Sequence, residues 1–302
     1  MTSWLVTGAS GFLGANLGWA LGGPTSRIGV SRTAPPSGTF DVHVPVDITD
    51  APSLRSVIES TRPSVIVHAA ALSSHEACES DPDLAHAINV TASRNLAAIA
   101  ADAGSRFIYI STDAVFPGTR GHYVETDETE PFSVYGETKL LGEHAVLEAN
   151  PSSLVVRTNF FGWSPQGSRS ILEFFVNALR EGKEVAGYTD FVVTSIYAQN
   201  LAASLRRLAS IPSVNGTVHV ASRDARSKYE FSQMVATTFN LDGGLVTARS
   251  AAGNHSTSRS RDISLDCAYA ESLFGAPSPT QAEGLWAACK DERHIRSAWG
   301  HG

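Results

Sequence analysis

The chain has 302 residues, 42% hydrophobic and 18% charged. With domains averaging roughly 150 residues, it is long enough for two lobes or one large α/β unit and too long for a small stapled scaffold. Thirty acidic against 23 basic side chains give a net charge of −7, which argues against a nucleic-acid surface of excess Lys and Arg, and no stretch approaches the roughly 18 continuous apolar residues that span a bilayer.

In chain order, the first expected strand is 4–7 (WLVT), and VTGASGFLG runs straight out of it into a helical stretch at 15–21. Gly8, Gly11 and Gly14 are spaced G-x-x-G-x-x-G. Gly8 permits the tight turn, Gly11 lets backbone approach a pyrophosphate, and Gly14 lets the helix pack against the sheet. With Ser10, Phe12 and Leu13 they make a candidate dinucleotide turn, whose helix N-terminus offers free N–H groups to an anion. A second strand at 28–31 ends without a carboxylate for the NAD ribose, and Arg32 follows, 18 residues after Gly14. Its guanidinium suits the 2′-phosphate of NADP, or it is a solvated turn residue; NADP(H) is the expected cofactor, with NAD(H) open.

Further apolar, β-branched runs at 42–46, 65–68, 107–110 and 154–156 read as buried parallel strands, and 53–60, 83–103 and 134–148 carry helical spacing. The alternation predicts an α/β fold, a doubly wound parallel (Rossmann) sheet with a smaller α+β substrate lobe. The expected division is a dinucleotide-binding domain at 1–158, with part of 186–225 returning to it, and mainly a substrate-binding lobe at 159–302. A helix is expected at 170–181, and the polar, Ser-rich stretch 249–261 reads as a surface loop.

Cys78, Cys267 and Cys289 are odd in number and widely spaced, which points to free thiols in a reducing compartment. The N-terminus has no basic region before Arg27 and breaks its apolar run with glycines, so a cytoplasmic protein is expected. None of the ten histidines forms an H-x-x-x-H pair, so no bound metal is expected.

The candidate chemistry lies at the end of the 107–110 strand. Ser111-Thr112-Asp113 follows it, and 23 residues after Thr112 comes Tyr135-Gly136-Glu137-Thr138-Lys139. Tyr and Lys four apart share a helix face, and an ammonium beside a phenol is expected to lower its pKa from about 10. With a hydroxyl such as Thr112 to hold the substrate oxygen, this is the minimum for protonating an alkoxide as hydride arrives from a nicotinamide. Ser73, Ser74 and His75 follow a strand at its carboxyl end, where such folds bind ligands; His75 is either a substrate contact or a rim residue. Asn159 either reaches the substrate or closes a turn, and Asn89 is expected to brace the sheet. Arg259 and Arg261 either clamp a substrate diphosphate or belong to a solvated loop.

In the order G-x-x-G-x-x-G, HAAA at 68–71, STD at 111–113 and YGETK at 135–139, the chain resembles, over almost its whole length, the extended short-chain dehydrogenase/reductase superfamily. STDAVFPGT, CESDPDLAHAINV at 78–90 and RSRDISLD at 259–266 look most like the dTDP-4-dehydrorhamnose reductase group, oxidoreductases of deoxysugar biosynthesis. The resemblance implies Thr112, Tyr135 and Lys139 as the catalytic trio, with Lys139 also on the nicotinamide ribose. It implies Asp47 and Ile48 beside the adenine, Ala69, Ala70 and Ala71 under the cofactor, and a nucleotide-linked keto-sugar under the second lobe, with Ser73, His75, Asp113, Asn159, Arg259 and Arg261 as candidate contacts. The similar 4,6-dehydratases carry Asp-Glu after the Thr; here Ala114 follows Asp113, which leaves ketone reduction, or C4 epimerisation with a retained NAD. A non-catalytic NADP-binding subunit, as in a relative that partners a methionine adenosyltransferase, is a further alternative, and a homodimer stays open.

Overall fold

A computed structural model describes residues 2–22, 25–250 and 262–300. Seven parallel strands form the central sheet: β1 (Ser3–Thr7), β2 (Ser26–Val30), β3 (Val42–Val44), β4 (Val65–His68), β5 (Arg106–Ile110), β6 (Leu154–Arg157) and the strand Gly216–His219. Their order is Gly216–His219, β6, β5, β4, β1, β2, β3. The order turns back on itself between β1 and β4, and a doubly wound sheet opens its ligand crevice at the carboxyl ends of the strands there. β4 is fully buried and carries no polar alternation, as expected of a strand covered on both faces.

Two apolar layers enclose the sheet. On one side Leu13 and Leu17 of the helix Phe12–Ala20 meet Leu201, Leu205 and Leu208 of the helix Ala198–Ala209 over Val6, Val67 and Val156. On the other, Leu54 and Ile58 of the helix Ala51–Thr61 and Leu96 and Ile99 of the helix Ala92–Asp102 cover Leu5, Ile66 and Phe107. A separate core of Phe161, Trp163, Phe175, Tyr197, Phe231 and Leu285 joins the helices Ile171–Arg180, Lys228–Thr238 and Gln281–Ala298. No helix among the described residues is long and apolar enough to cross a membrane.

Two expected elements differ. The strand at 42–46 stops at Val44, where Val46 N–H turns back to the Val44 carbonyl. The single helix at 83–103 is three pieces, Pro82–His86, a π-helical turn Ala87–Thr91 and Ala92–Asp102. The wider turn directs Asn89 inward, where its side chain accepts from Leu72 N–H and donates to the Leu72 carbonyl and the Thr138 hydroxyl. An inserted residue of this kind aims a side chain that a regular helix would leave elsewhere.

Candidate active site

The glycine turn leaves no room for side chains. Gly8 has φ +70°, and a Cβ on it would lie 2.9 Å from the Ala70 backbone; one on Gly14 would lie 2.1 Å from the Gly8 carbonyl oxygen. Gly11 N–H closes the turn on the Gly8 carbonyl at 2.8 Å. Gly11 is the N-cap of the helix Phe12–Ala20 and no side chain caps that end, so the first-turn N–H groups beside Phe12 and Leu13 are available to an anion. Ser10 accepts a hydrogen bond from Thr33 on its hydroxyl and one from Gln166 on its carbonyl, which brings the 163–169 loop onto the turn.

This turn is one wall of a cleft of about 1510 Å³ that runs to the strand ends. Ala69, Ala70 and Ala71 line it beside the glycine turn, and Asp47, Ile48 and Arg32 line it as well. Arg32 is 77% exposed and 3.9 Å from Asp47. The Asp47 carboxyl sits below its ordinary range, chiefly through hydrogen bonds from the Thr49 backbone and hydroxyl.

At the other end, Ser133 caps the helix Val134–Ala149 by accepting from Gly136 N–H at 3.1 Å. A Cβ on Gly136 would lie 2.4 Å from the Ala114 carbonyl oxygen, so glycine lets this helix press against the segment following Thr112. The Thr112 hydroxyl lies beside the Tyr135 phenol; it donates to Asp113 at 3.1 Å and accepts from Ala114 N–H at 3.1 Å. Asn159 donates to the other Asp113 oxygen at 2.8 Å. One helical turn from Tyr135, the Lys139 ammonium donates to the Ile110 carbonyl at 2.7 Å and stands 3.9 Å from the centre of the Tyr109 ring.

Burial governs the protonation of these groups. It pushes Tyr135 up to about 12 and Lys139 down to about 7, the latter opposed by the charge of Glu143. Asp113 is pushed up to about 7 by burial, against hydrogen bonds from Asn159 and Thr112. The expected lowering of the phenol by the ammonium is therefore not what this structure holds: Lys139 is spent on a carbonyl and a ring face, and desolvation outweighs charge.

Thr112, Asp113, Tyr135, Lys139 and Asn159 thus line the same cleft as the glycine turn, as do Ser73, Ser74 and His75. The His75 ring lies 5.0 Å from that of Tyr135, and Ser74 caps a short helix, His75–Ser80, that the pattern had not disclosed. Arg259 and Arg261 lie outside the described residues. The sequence reading passed over Gly136, Gln166, Glu143 and Arg157. Only Glu143 left a signal, standing four residues after Lys139 and eight after Tyr135 on the same stripe.

The chain matches the family described as "RmlD substrate binding domain" over residues 2–294. It belongs to that family, within the extended short-chain dehydrogenases/reductases. RmlD-type relatives include a probable low-salt glycan biosynthesis reductase, Agl14, of Haloferax volcanii, 33% identical over 289 residues, 93% of this chain and 95% of that protein. Methionine adenosyltransferase 2 subunit beta of Mus musculus is 32% identical over 306 residues, 96% of this chain and 89% of that one. Among solved structures, dTDP-4-dehydrorhamnose reductase of Bacillus anthracis in complex with NADP superposes with a TM-score of 0.84 at 25% identity, covering 96% of this chain and all of that one. The RmlD-family framework is thus shared along nearly the full chain, including both walls of the cleft.

Proposed function

We propose that this chain is an NADPH-dependent reductase of a nucleotide-linked 4-keto-6-deoxy sugar. The observation that carries the reading is the convergence of Thr112, Tyr135 and Lys139 on a cleft whose other wall is an uncapped helix N-terminus behind Gly8 and Gly14, neither of which has room for a Cβ. That turn fits a dinucleotide diphosphate, because a Cβ at Gly8 or Gly14 would collide with the turn itself and the first-turn N–H groups have no side-chain partner. Bound NADPH supplies hydride to the ketone carbon.

The chain's own residues supply the rest. Tyr135, held protonated well above neutral pH by burial, gives its proton to the ketone oxygen. Thr112 orients that oxygen beside the phenol. Lys139, fixed by the Ile110 carbonyl, anchors the nicotinamide ribose. Gly8, Ser10, Gly11, Phe12, Leu13 and Gly14 hold the diphosphate, Ala69 to Ala71 lie under the cofactor, Asp47 and Ile48 bound the adenine, and exposed Arg32 meets the 2′-phosphate. Ser73, His75, Asp113 and Asn159 face the sugar, and residues 159–302 form mainly the substrate side of the cleft. Tyr135→Phe is expected to lower turnover by about a hundredfold or more, the usual weight of a positioned proton donor, with NADPH binding unchanged by fluorescence titration; unchanged turnover sinks the assignment.

The mouse relative favours a second reading, a non-catalytic NADP-binding subunit of a methionine adenosyltransferase. The intact trio Thr112, Tyr135 and Lys139, brought together in one cleft, favours the reductase.

A further inference from the structure

The parallel strands β5 and β6 are paired up to Ile110 and Val156, and Ser111 N–H still reaches the Val156 carbonyl at 2.7 Å. Beyond that point side chains hold the two chains. The Ser111 hydroxyl donates to Glu143 on the helix Val134–Ala149. Arg157, the last residue of β6, donates to both oxygens of the same carboxylate, with Nη2 to Oε2 at 2.7 Å and Nε to Oε1 at 3.0 Å. Two residues further along each chain, Asn159 donates to Asp113. Glu143 to Ser111, along the chain to Asp113, across to Asn159, back along the chain to Arg157 and across to Glu143 is a closed circuit, with Thr112 midway along one side.

Glu143 and Arg157 are both nearly excluded from solvent, 1% and 7% exposed. A buried ion pair is a weak way to gain stability, since its desolvation offsets much of its attraction, but it fixes geometry. What it fixes here is the segment bearing Thr112. Lys139 reaches the Ile110 carbonyl from one turn of the helix and Glu143 reaches Ser111 from the next, so the two residues before Thr112 are tied to the element that presents Tyr135.

We propose that Glu143 is a positioning residue: the circuit it closes with Ser111, Asp113, Asn159 and Arg157 holds the Thr112 hydroxyl beside the Tyr135 phenol. This rests on the reading of Thr112 and Tyr135 as the proton-handling pair. Glu143→Gln would leave the buried Arg157 guanidinium without its counter-charge and can fail to fold, so the test uses Ser111→Ala, which opens the circuit and leaves the ion pair in place. With NADPH and dTDP-4-keto-6-deoxyglucose, Ser111→Ala is expected to lower kcat about tenfold, within the range for a displaced reacting group, with the NADPH Kd unchanged. In a Thr112→Val background it is expected to cause no further loss of the residual rate, because the group it positions is gone. An equal loss in both backgrounds, or none in the parent, overturns the circuit alone. Full turnover in Thr112→Val overturns the reading of Thr112 and the circuit with it. Should the parent leave this keto-sugar unreduced, the reductase reading fails and the crystal structure of Ser111→Ala decides the circuit: Thr112 turned away from Tyr135 supports it, and Thr112 unmoved overturns it.

Discussion

His68 lies beneath the cleft with both ring nitrogens engaged, and its neighbours fix its tautomer. Ala70 N–H donates to the Thr7 hydroxyl, and that hydroxyl lies 2.6 Å from Nδ1; the Ser93 hydroxyl donates to the Asn89 carbonyl and lies 3.0 Å from Nε2. The Ser93 proton is spent on Asn89, so Nε2–H donates to Ser93, and in the neutral ring that burial favours Nδ1 accepts from Thr7. Burial, with the Lys139 charge, pushes its pKa down to about 3 from 6.5. In that interval the unfolded chain binds the proton and the folded one does not, so stability is lost as pH falls from 6.5 towards 3. At pH 5 this one group costs about 2 kcal/mol. The loss of melting temperature from pH 7 to pH 5 is expected to be smaller in His68→Gln than in the parent; equal losses would refute the neutral ring. At this scale spacing put Tyr135 and Lys139 on one helix face, the resemblance added Thr112 as the third member, and the three line one cleft. The order of the Tyr135 and Lys139 pKa values was not legible, because burial depends on β5, β6 and the helix Val134–Ala149 closing together.

The turn between β1 and the helix Phe12–Ala20 is the element most fully written in local sequence, since each glycine answers a contact made within the turn or with Ala70. Gly14→Ala would place a methyl group 2.1 Å from the Gly8 carbonyl oxygen. It is expected to cost about 1–3 kcal/mol by overpacking and to abolish NADPH binding, checked by thermal melting and titration; a protein that melts and binds as the parent does would show that the turn adapts. The π turn Ala87–Thr91 is the opposite case. Its residues carry ordinary helical spacing, and what widens it is the set of tertiary bonds from Asn89 to Leu72 and Thr138, which no local pattern encodes. Glu143 and Arg157 are alike in this: an acidic residue on a helix and a basic one ending a strand read as surface until both are found buried on each other.

Over the whole molecule, the parallel sheet is legible where its strands are apolar runs, as at 65–68, 107–110 and 154–156, whereas the Gly216–His219 strand, with Gly, Thr and His among its four residues, left no such run. The Phe161 and Trp163 core is less legible, since its strands are as short as Phe160–Phe161 and Ile196–Tyr197 and draw partners from far along the chain. The cleft lies where these two cores meet, lined from the sheet by the glycine turn and Thr112 and from the far side by Arg169, Arg226, Lys228 and Phe231. A chain of net charge −7 that brings Arg169 and Lys228 to one cleft has an electrostatic reason to take an anionic ligand there. The most direct test of the central claim is to saturate the protein with NADPH and add dTDP-4-keto-6-deoxyglucose while following NADPH fluorescence. The account predicts stoichiometric oxidation of NADPH with appearance of the 4-hydroxy sugar nucleotide. Tight NADPH binding without oxidation, together with co-purification with a methionine adenosyltransferase, would contradict it and make this chain a regulatory subunit.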